Sequence, residues 1–407
     1  MTPLEDGCVP FECESEPGPT APRPSNRRLR IAVLNRIFSP TGGGAERYSI
    51  ALVEQLAQRH ELHVFAQRID HQWPGVTYHI VSSPFTRPRW INQLWYAAAT
   101  WWKTRRAFDV VHSHESTWHG QVQTVHVLPV KYTLFHGRTG WARAIRVLKV
   151  ACSPRLLAYL WLERLRFVHI DSRRIVVTSG SLMAQVAHTY PAAHNLQVVT
   201  PGVTMAGAPV TQVMRLAARK RLGLPEAGNG ILFVGNDYRK KGLAPLVQAL
   251  RLLPDNAWLV VVGNAVAVPE FRAQAKAAGV LSRMFFLGPL HDVRDAYISA
   301  DCLAHPTRED TYAMVVLEAM AYGLPVIVSS ERYCGISGLL THEANALILS
   351  DPNDSTALAS ALRRVLQDPL LRQNLSEAAV KFASLHQWSS IAEQQEAIYL
   401  AVSRPMA

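Results

Sequence analysis

His305-Pro306-Thr307-Arg308-Glu309-Asp310-Thr311-Tyr312-Ala313-Met314-Val315-Val316-Leu317-Glu318-Ala319-Met320-Ala321-Tyr322-Gly323-Leu324-Pro325-Val326-Ile327 decides the reading of this chain. It opens at the end of an apolar run, DCLAHP (301–306), and passes through an acidic loop. A helix-like apolar segment with one carboxylate, Glu318, follows, and a Gly-Leu-Pro turn leads into PVIVS (325–329). Strand, loop, helix and strand in so short a span form the repeating unit of a parallel sheet covered by helices.

The same alternation extends both ways. Upstream and downstream lie ILFVG (231–235), WLVVVG (258–263), MFFLG (284–288) and ALIL (346–349), with helix-like segments between them. Before the turn Thr200-Pro201-Gly202-Val203, an earlier series runs LRIAVLN, ELHVFAQ, FDVVHSH, QVQTVHV and RIVVTS. The expectation is an α/β protein of two doubly wound, Rossmann-like domains, 28–202 and 203–384, facing each other across a cleft. A closing C-terminal helix is expected over 385–407, where Trp388, Ile391, Ala392, Ile398 and Tyr399 keep helical spacing. A length of 407 residues suits two domains better than one core. Runs ending in Gly235, Gly263 and Gly288 put loops at the carboxyl ends of strands, where open α/β sheets bind ligands.

Composition bounds the alternatives. Hydrophobic residues make up 48% and charged ones 18%, and no apolar run approaches the ~20 residues that a membrane-spanning helix needs. Residues 1–27 hold Pro10, Pro17, Pro19, Pro22 and Pro24 without an apolar stretch, which predicts a disordered leader rather than a secretory signal. Cys8, Cys13, Cys152, Cys302 and Cys334 have no metal-ligand spacing and read as reduced thiols of a cytoplasmic protein. The net charge is +11, but residues 131–174 alone hold ten Lys/Arg against Glu163 and Asp171, so the basicity is local.

Three features bear on chemistry. Gly42-Gly43-Gly44-Ala45-Glu46-Arg47 leads from a strand into a helix, and its glycines let backbone amides approach an anion at the helix N-terminus. Asn236-Asp237-Tyr238-Arg239-Lys240-Lys241-Gly242 sets three cations just after the first strand of the second domain, where a ligand loop belongs. His112, His114 and His126 stand at strand ends. No His/Cys/Asp cluster has metal spacing and no Asp-x-Asp occurs, so neither a metal nor any other cofactor is expected. Taken singly, Asp310 suits a helix N-cap and Glu318 a paired helix-face acid.

Asp310 and Glu318 with seven residues between them, followed by Gly-Leu-Pro-Val, resemble the signature of family 4 glycosyltransferases of GT-B fold. The order GGAER, TPGV, RKKG, HPTRED is similar to that of the lipopolysaccharide core glucosyltransferases, over roughly residues 28 to 400. The resemblance implies a UDP-sugar donor. Lys241, with Lys240 or Arg239, would neutralise its diphosphate, Asn236 standing where many members have an arginine. Gly43, Gly44 and the amides of Tyr312, Ala313 and Met314 would meet the phosphates. Glu318 would hold the ribose, Asp310 (or Glu309) the sugar hydroxyls, and His126 the far side of the sugar. An Asp replaces the usual first Glu, and Ala313 stands where a glycine is common.

The basic stretch is read with Trp90, Trp95, Trp101 and Trp102 and with Arg143, Arg146 and Lys149 as a face for an anionic membrane surface rather than for nucleic acid, since no nucleic-acid motif accompanies it. The expectation is a retaining, metal-independent hexosyltransferase, with glucose the first choice of sugar. Its acceptor would be a lipid-linked glycan such as the lipopolysaccharide inner core, and the enzyme would lie peripherally on the inner face of the cytoplasmic membrane. A sugar-nucleotide epimerase of the same fold and a non-catalytic sugar-nucleotide-binding protein are the alternatives.

Overall fold

The computed structural model describes residues 27–403 apart from Thr41 and Thr86. The expected leader, with Cys8 and Cys13, lies outside the described residues except for Arg27, as do residues 404–407. The first sheet has seven strands: β1 (Arg30–Leu34), β2 (Glu61–Ala66), β3 (Val76–Ile80), β4 (Val110–Ser113), β5 (Val122–Val125), β6 (Arg174–Val177) and β7 (Leu196–Val198). Their spatial order is β3-β2-β1-β4-β5-β6-β7, and every pairing is parallel. The second sheet has β8 (Asn229–Val234), β9 (Ala257–Val262), β10 (Met284–Gly288), β11 (Cys302–His305), β12 (Val326–Ser329) and β13 (Leu347–Leu349), ordered β10-β9-β8-β11-β12-β13 and again all parallel. Central strands are covered on both faces, which is why they read as unbroken apolar runs; β9, AWLVVV, is buried at all six positions. The chain thus has the two Rossmann-like domains expected of it.

Two strands have no clear signature in the sequence. VTYHI of β3 is a half-exposed edge strand, and LQV of β7 is three residues long at the opposite edge. With one side open and few apolar positions, neither generates a Val/Ile run.

The strand order fixes where ligands bind. In each sheet the winding reverses next to the first strand, between β1 and β4 and between β8 and β11. Loops leaving adjacent strands there diverge and leave a crevice. In the second domain these are the loop carrying Arg239-Lys240-Lys241 and the loop carrying Glu309-Asp310; in the first, the loop carrying Gly42-Gly43-Gly44 and the one after His112.

The chain crosses between domains twice, side by side. The Val203 amide donates to the His386 carbonyl at 2.8 Å, and Val203 and Gln387 pair as a parallel bridge. The helix Trp388–Val402 then lies against the first domain, where Ile391, Ile398 and Tyr399 pack with Leu52, Val53 and Leu56 of the helix Gly44–Leu56. Glu396 on that helix pairs with Arg59 at 2.5 Å and His60 at 2.8 Å.

Candidate active site

A cleft of about 1070 Å³ lies between the domains. Gly43, Gly44, Glu46, Arg47 and His126 line it from the first domain; Asn236, Lys240, Lys241, Asp310, Tyr312, Ala313 and Met314 line it from the second. The structure therefore brings together most of the residues singled out in the sequence. Arg239 and Glu318 are not on the cleft wall.

Each of the three adjacent cations has a carboxylate partner. The Arg239 guanidinium turns outward, 73% exposed, and donates to both oxygens of Glu270 at 2.6 to 3.1 Å. This corrects the assignment of Arg239 to the donor: position 239 faces solvent and its fork is already engaged. Lys240 pairs with Glu309, and Lys241 donates to Asp310 Oδ2 at 2.5 Å and to the Glu309 carbonyl at 3.2 Å. Of Arg239 and Lys240, Lys240 is the one that lines the cleft. The following glycine has a steric reason: Gly242 has φ +83°, and a Cβ there would lie 1.9 Å from the Pro306 carbonyl oxygen. The basic and acidic loops touch backbone to backbone at this point, with the Arg308 amide donating to the Lys240 carbonyl at 2.9 Å.

Asp310 is fully committed. Besides Lys241, its Oδ2 accepts from His305 Nε2 at 3.1 Å, and its Oδ1 accepts from the Tyr312 amide at 3.4 Å and the Ala313 amide at 2.9 Å. Burial alone would raise its pKa, but the His305 hydrogen bond and the Lys241 charge outweigh it and hold the carboxyl well below the usual carboxylate range. Two expectations are corrected by this. The Tyr312 and Ala313 amides are turned onto Asp310 rather than presented to a phosphate, and Asp310 has little acceptor capacity left for sugar hydroxyls; it organises the loop and orients Lys241. Glu309, its conceivable stand-in, pairs with Lys240 and is not on the cleft wall.

The open anion donors lie one step further on. The helix Met314–Ala321 has no side-chain cap, and the amides of Met314 and Val315, both on the cleft, find no acceptor among the described residues. Opposite them the helix Gly44–Leu56 is likewise uncapped by any side chain. The two helix N-termini meet: a Cβ on Gly44 would stand 3.3 Å from Met314 Sδ. Lys240 and Lys241 line the same cleft, so donors suited to an anion face it from both domains.

Ala313 turns the chain into that helix with φ +73° and ψ 68°. Left-handed geometry costs an L-residue about 1–2 kcal/mol, more when it is β-branched. We expect Ala313→Gly to raise unfolding stability by ~0.5 kcal/mol, the strain relief being partly offset by the lost methyl contact, and Ala313→Val to lower it by ~2 kcal/mol. Urea unfolding measures both; equal stabilities would contradict the argument.

Glu318 is occupied from both sides. Tyr297 Oη donates to its Oε2 at 2.6 Å, and Arg47 Nη1, from the first domain, donates to its Oε1 at 2.8 Å. Arg47 is the functional candidate the sequence reading missed. It ends the quoted GGAER string, but no local pattern tells that its partner is Glu318. Two more bonds cross the cleft: Thr311 Oγ1 donates to the His126 carbonyl at 2.6 Å, and Ser179 Oγ to the Thr311 carbonyl at 2.7 Å.

His126 sits at the cleft with its Nε2 2.9 Å from His114 Nδ1, and His112 follows behind, 2.6 Å from both Tyr399 Oη and Thr124 Oγ1. Burial first, then the charge of Arg166, pushes the His126 pKa down to about 3. His126 is therefore a neutral ring at physiological pH, suited to hydrogen bonding rather than to proton exchange. Among the described residues no group of three or more His, Cys, Asp or Glu side chains is arranged to hold a metal ion.

Two Rossmann-like domains closing on such a cleft define a class, the GT-B glycosyltransferases, and the chain belongs to it: residues 42–206 match the profile of Glycosyltransferase Family 4 and residues 214–382 that of Glycosyl transferases group 1. Among individual proteins, D-inositol 3-phosphate glycosyltransferase of Jonesia denitrificans is 28% identical over 93% of this chain and 97% of its own length. Lipopolysaccharide glucosyltransferase WaaG of Escherichia coli is also 28% identical, over 60% of this chain and 66% of WaaG. The crystal structure of a WaaG superposes with a TM-score of 0.77 at 23% identity, covering 91% of this chain and 99% of that one. Anabaena HepE, solved with UDP and glucose, superposes at 0.72 with 18% identity, covering 92% and 100%.

Proposed function

We propose that the protein is a retaining hexosyltransferase that moves glucose from UDP-glucose to a membrane-anchored glycan of the lipopolysaccharide inner-core kind. The observation that carries this reading is that two helix N-termini without side-chain caps line one cleft together with Lys240 and Lys241. A diphosphate matches such a charge distribution, and the likeness to WaaG and to HepE supports UDP-glucose as its carrier.

The reaction on this reading is a front-face substitution. The acceptor hydroxyl attacks the anomeric carbon from the face on which the nucleotide departs. The bond from that carbon to the phosphate oxygen breaks as the new glycosidic bond forms, and the acceptor proton passes to the departing phosphate oxygen. Lys240, Lys241 and the Met314 and Val315 amides stabilise the charge released there, which is the work a metal ion does in other transferases. His126, on the cleft wall, is assigned to hydrogen bonding with the sugar.

A screen of UDP-, GDP- and ADP-sugars by thermal stabilisation and by slow hydrolysis tests the donor, because a bound ligand raises stability with its occupancy. UDP-glucose is expected to give the largest shift, undiminished by EDTA. A flat response to all three nucleotides would sink the transferase reading, and accumulation of an epimer without acceptor would replace it.

The acceptor side rests on the face formed by the helices Arg89–Thr104, Gly140–Ala151 and Pro154–Arg166. Trp141 is 85% exposed and Trp102 67%, with Ile145, Leu148 and Trp161 also exposed, and Arg143 and Lys149 stand among them. No helix among the described residues is long and apolar enough to cross a membrane. Exposed indoles beside cations suit the headgroup layer of an anionic bilayer. Vesicles with anionic lipid are expected to float the protein, and reversal of Arg143, Arg146 and Lys149 to Glu to release it. Equal capture by neutral vesicles would contradict the electrostatic part.

A further inference from the structure

Each oxygen of Glu318 already has one donor, and of the two it is Arg47, on Oε1, that lines the cleft, while Glu318 itself does not. A ribose that approaches the carboxylate from the cleft therefore meets Arg47 first. Tyr297 is 1% exposed, packed in the core of the second domain and stacked on Tyr322, so it stays and holds the carboxylate in place. Arg47 is different: its side chain is 35% exposed, it stands on the cleft wall, and it comes from the other domain. Its guanidinium donates through Nη1 to Oε1, so in the donor-free protein it occupies an acceptor position that a ribose hydroxyl would take.

Arg47 lies in the first turn of the helix Gly44–Leu56, whose N-terminus has no side-chain cap and lines the same cleft as Lys240 and Lys241. A diphosphate seated in that cleft would offer an anionic partner to a guanidinium released from Glu318. We propose that nucleoside diphosphate binding exchanges the partners of Arg47: the ribose hydroxyls take Glu318, and the guanidinium moves onto the diphosphate. The exchange rests on the nucleotide-sugar reading of the cleft and adds a selection to it. A nucleoside alone must break the Arg47–Glu318 pair with nothing offered in return, whereas a nucleoside diphosphate breaks it and supplies a new partner. The first domain thereby grips the donor only when phosphates are present.

Calorimetric titration of the full chain with uridine and UDP, repeated with adenosine and ADP and with guanosine and GDP, tests the exchange in the wild type, Arg47→Ala and Arg47→Gln. The glutamine variant keeps most of the side-chain volume, and the thermal midpoint of each variant reports that it is folded. Removing the guanidinium is expected to tighten uridine at least about threefold, since Glu318 is vacated, and to weaken UDP at least about tenfold, since a phosphate contact is lost. Opposite movement of the two ligands is the signature. If both shift in the same direction by similar factors, or neither shifts, Arg47 is a structural partner of Glu318 and the exchange is wrong, while the donor site stands. If the wild type binds none of the three nucleoside diphosphates, the nucleotide-sugar reading falls first and the exchange with it.

Discussion

Replacing Lys241 by alanine is expected to lower kcat for sugar transfer about 10²- to 10³-fold, the usual loss when one preorganised donor to a developing charge is removed. Lys241 reaches the cleft with its ammonium held by Asp310 and by the Glu309 carbonyl, so it is placed before the donor arrives. The fold should survive, because Asp310 keeps His305 and the Tyr312 and Ala313 amides as donors. Lys241→Arg is expected to recover part of the rate, since the charge returns with a different reach. Initial rates at saturating UDP-glucose, read beside the thermal midpoints, separate chemistry from folding. A kcat within threefold of wild type would remove Lys241 from the reaction.

The other large effect is steric. Gly242→Ala puts a Cβ 1.9 Å from the Pro306 carbonyl oxygen at a residue with φ +83°, so the basic and acidic loops must separate. We expect a loss of ~2–4 kcal/mol in unfolding free energy, combining left-handed strain with overpacking against backbone. UDP-sugar binding should be abolished with it, as Lys241 and Asp310 lose their common geometry. Gly279 provides the control: it has φ +72° but nothing within 4 Å of an added Cβ. Gly279→Ala should cost only ~1 kcal/mol and leave donor binding unchanged. Urea unfolding of the two variants makes the comparison, and equal losses would mean that strain alone, not the contact with Pro306, sets the price of Gly242→Ala.

These two positions mark what was legible before the structure was known. Strands buried on both faces announce themselves, because a sheet covered on each side demands apolar residues at every position; ILFV and WLVVV do so, and the half-exposed VTYHI does not. The cleft loops were also legible, since glycines, adjacent cations and acids at strand ends have few other uses. Partner choice was not. Lys240 and Lys241 stand 69 residues before the acids they meet, and Arg47 stands 271 residues before Glu318. Arg239 looks equivalent to Lys240 in a list of charges, and only the direction in which each leaves the backbone separates solvent from cleft. Asp310 shows the same limit from the other side: its spacing suits a helix N-cap and the resemblance implies a hold on sugar hydroxyls, and neither tells that one carboxylate takes four donors, Lys241, His305 and the Tyr312 and Ala313 amides.

The helix Trp388–Val402 has a bearing on how the chain is made. The wall of the first domain behind the catalytic cleft is finished by Tyr399, which bonds His112, and by Trp388, which meets Tyr48 edge-on. Both residues leave the ribosome only after the whole second domain has been synthesised. Domains commonly fold in the order of their emergence, but here the apolar side of the helix Gly44–Leu56 is covered by residues at the far end of the chain. A nascent chain stalled just before Trp388 would therefore carry a complete second domain and a first domain that still lacks its last helix.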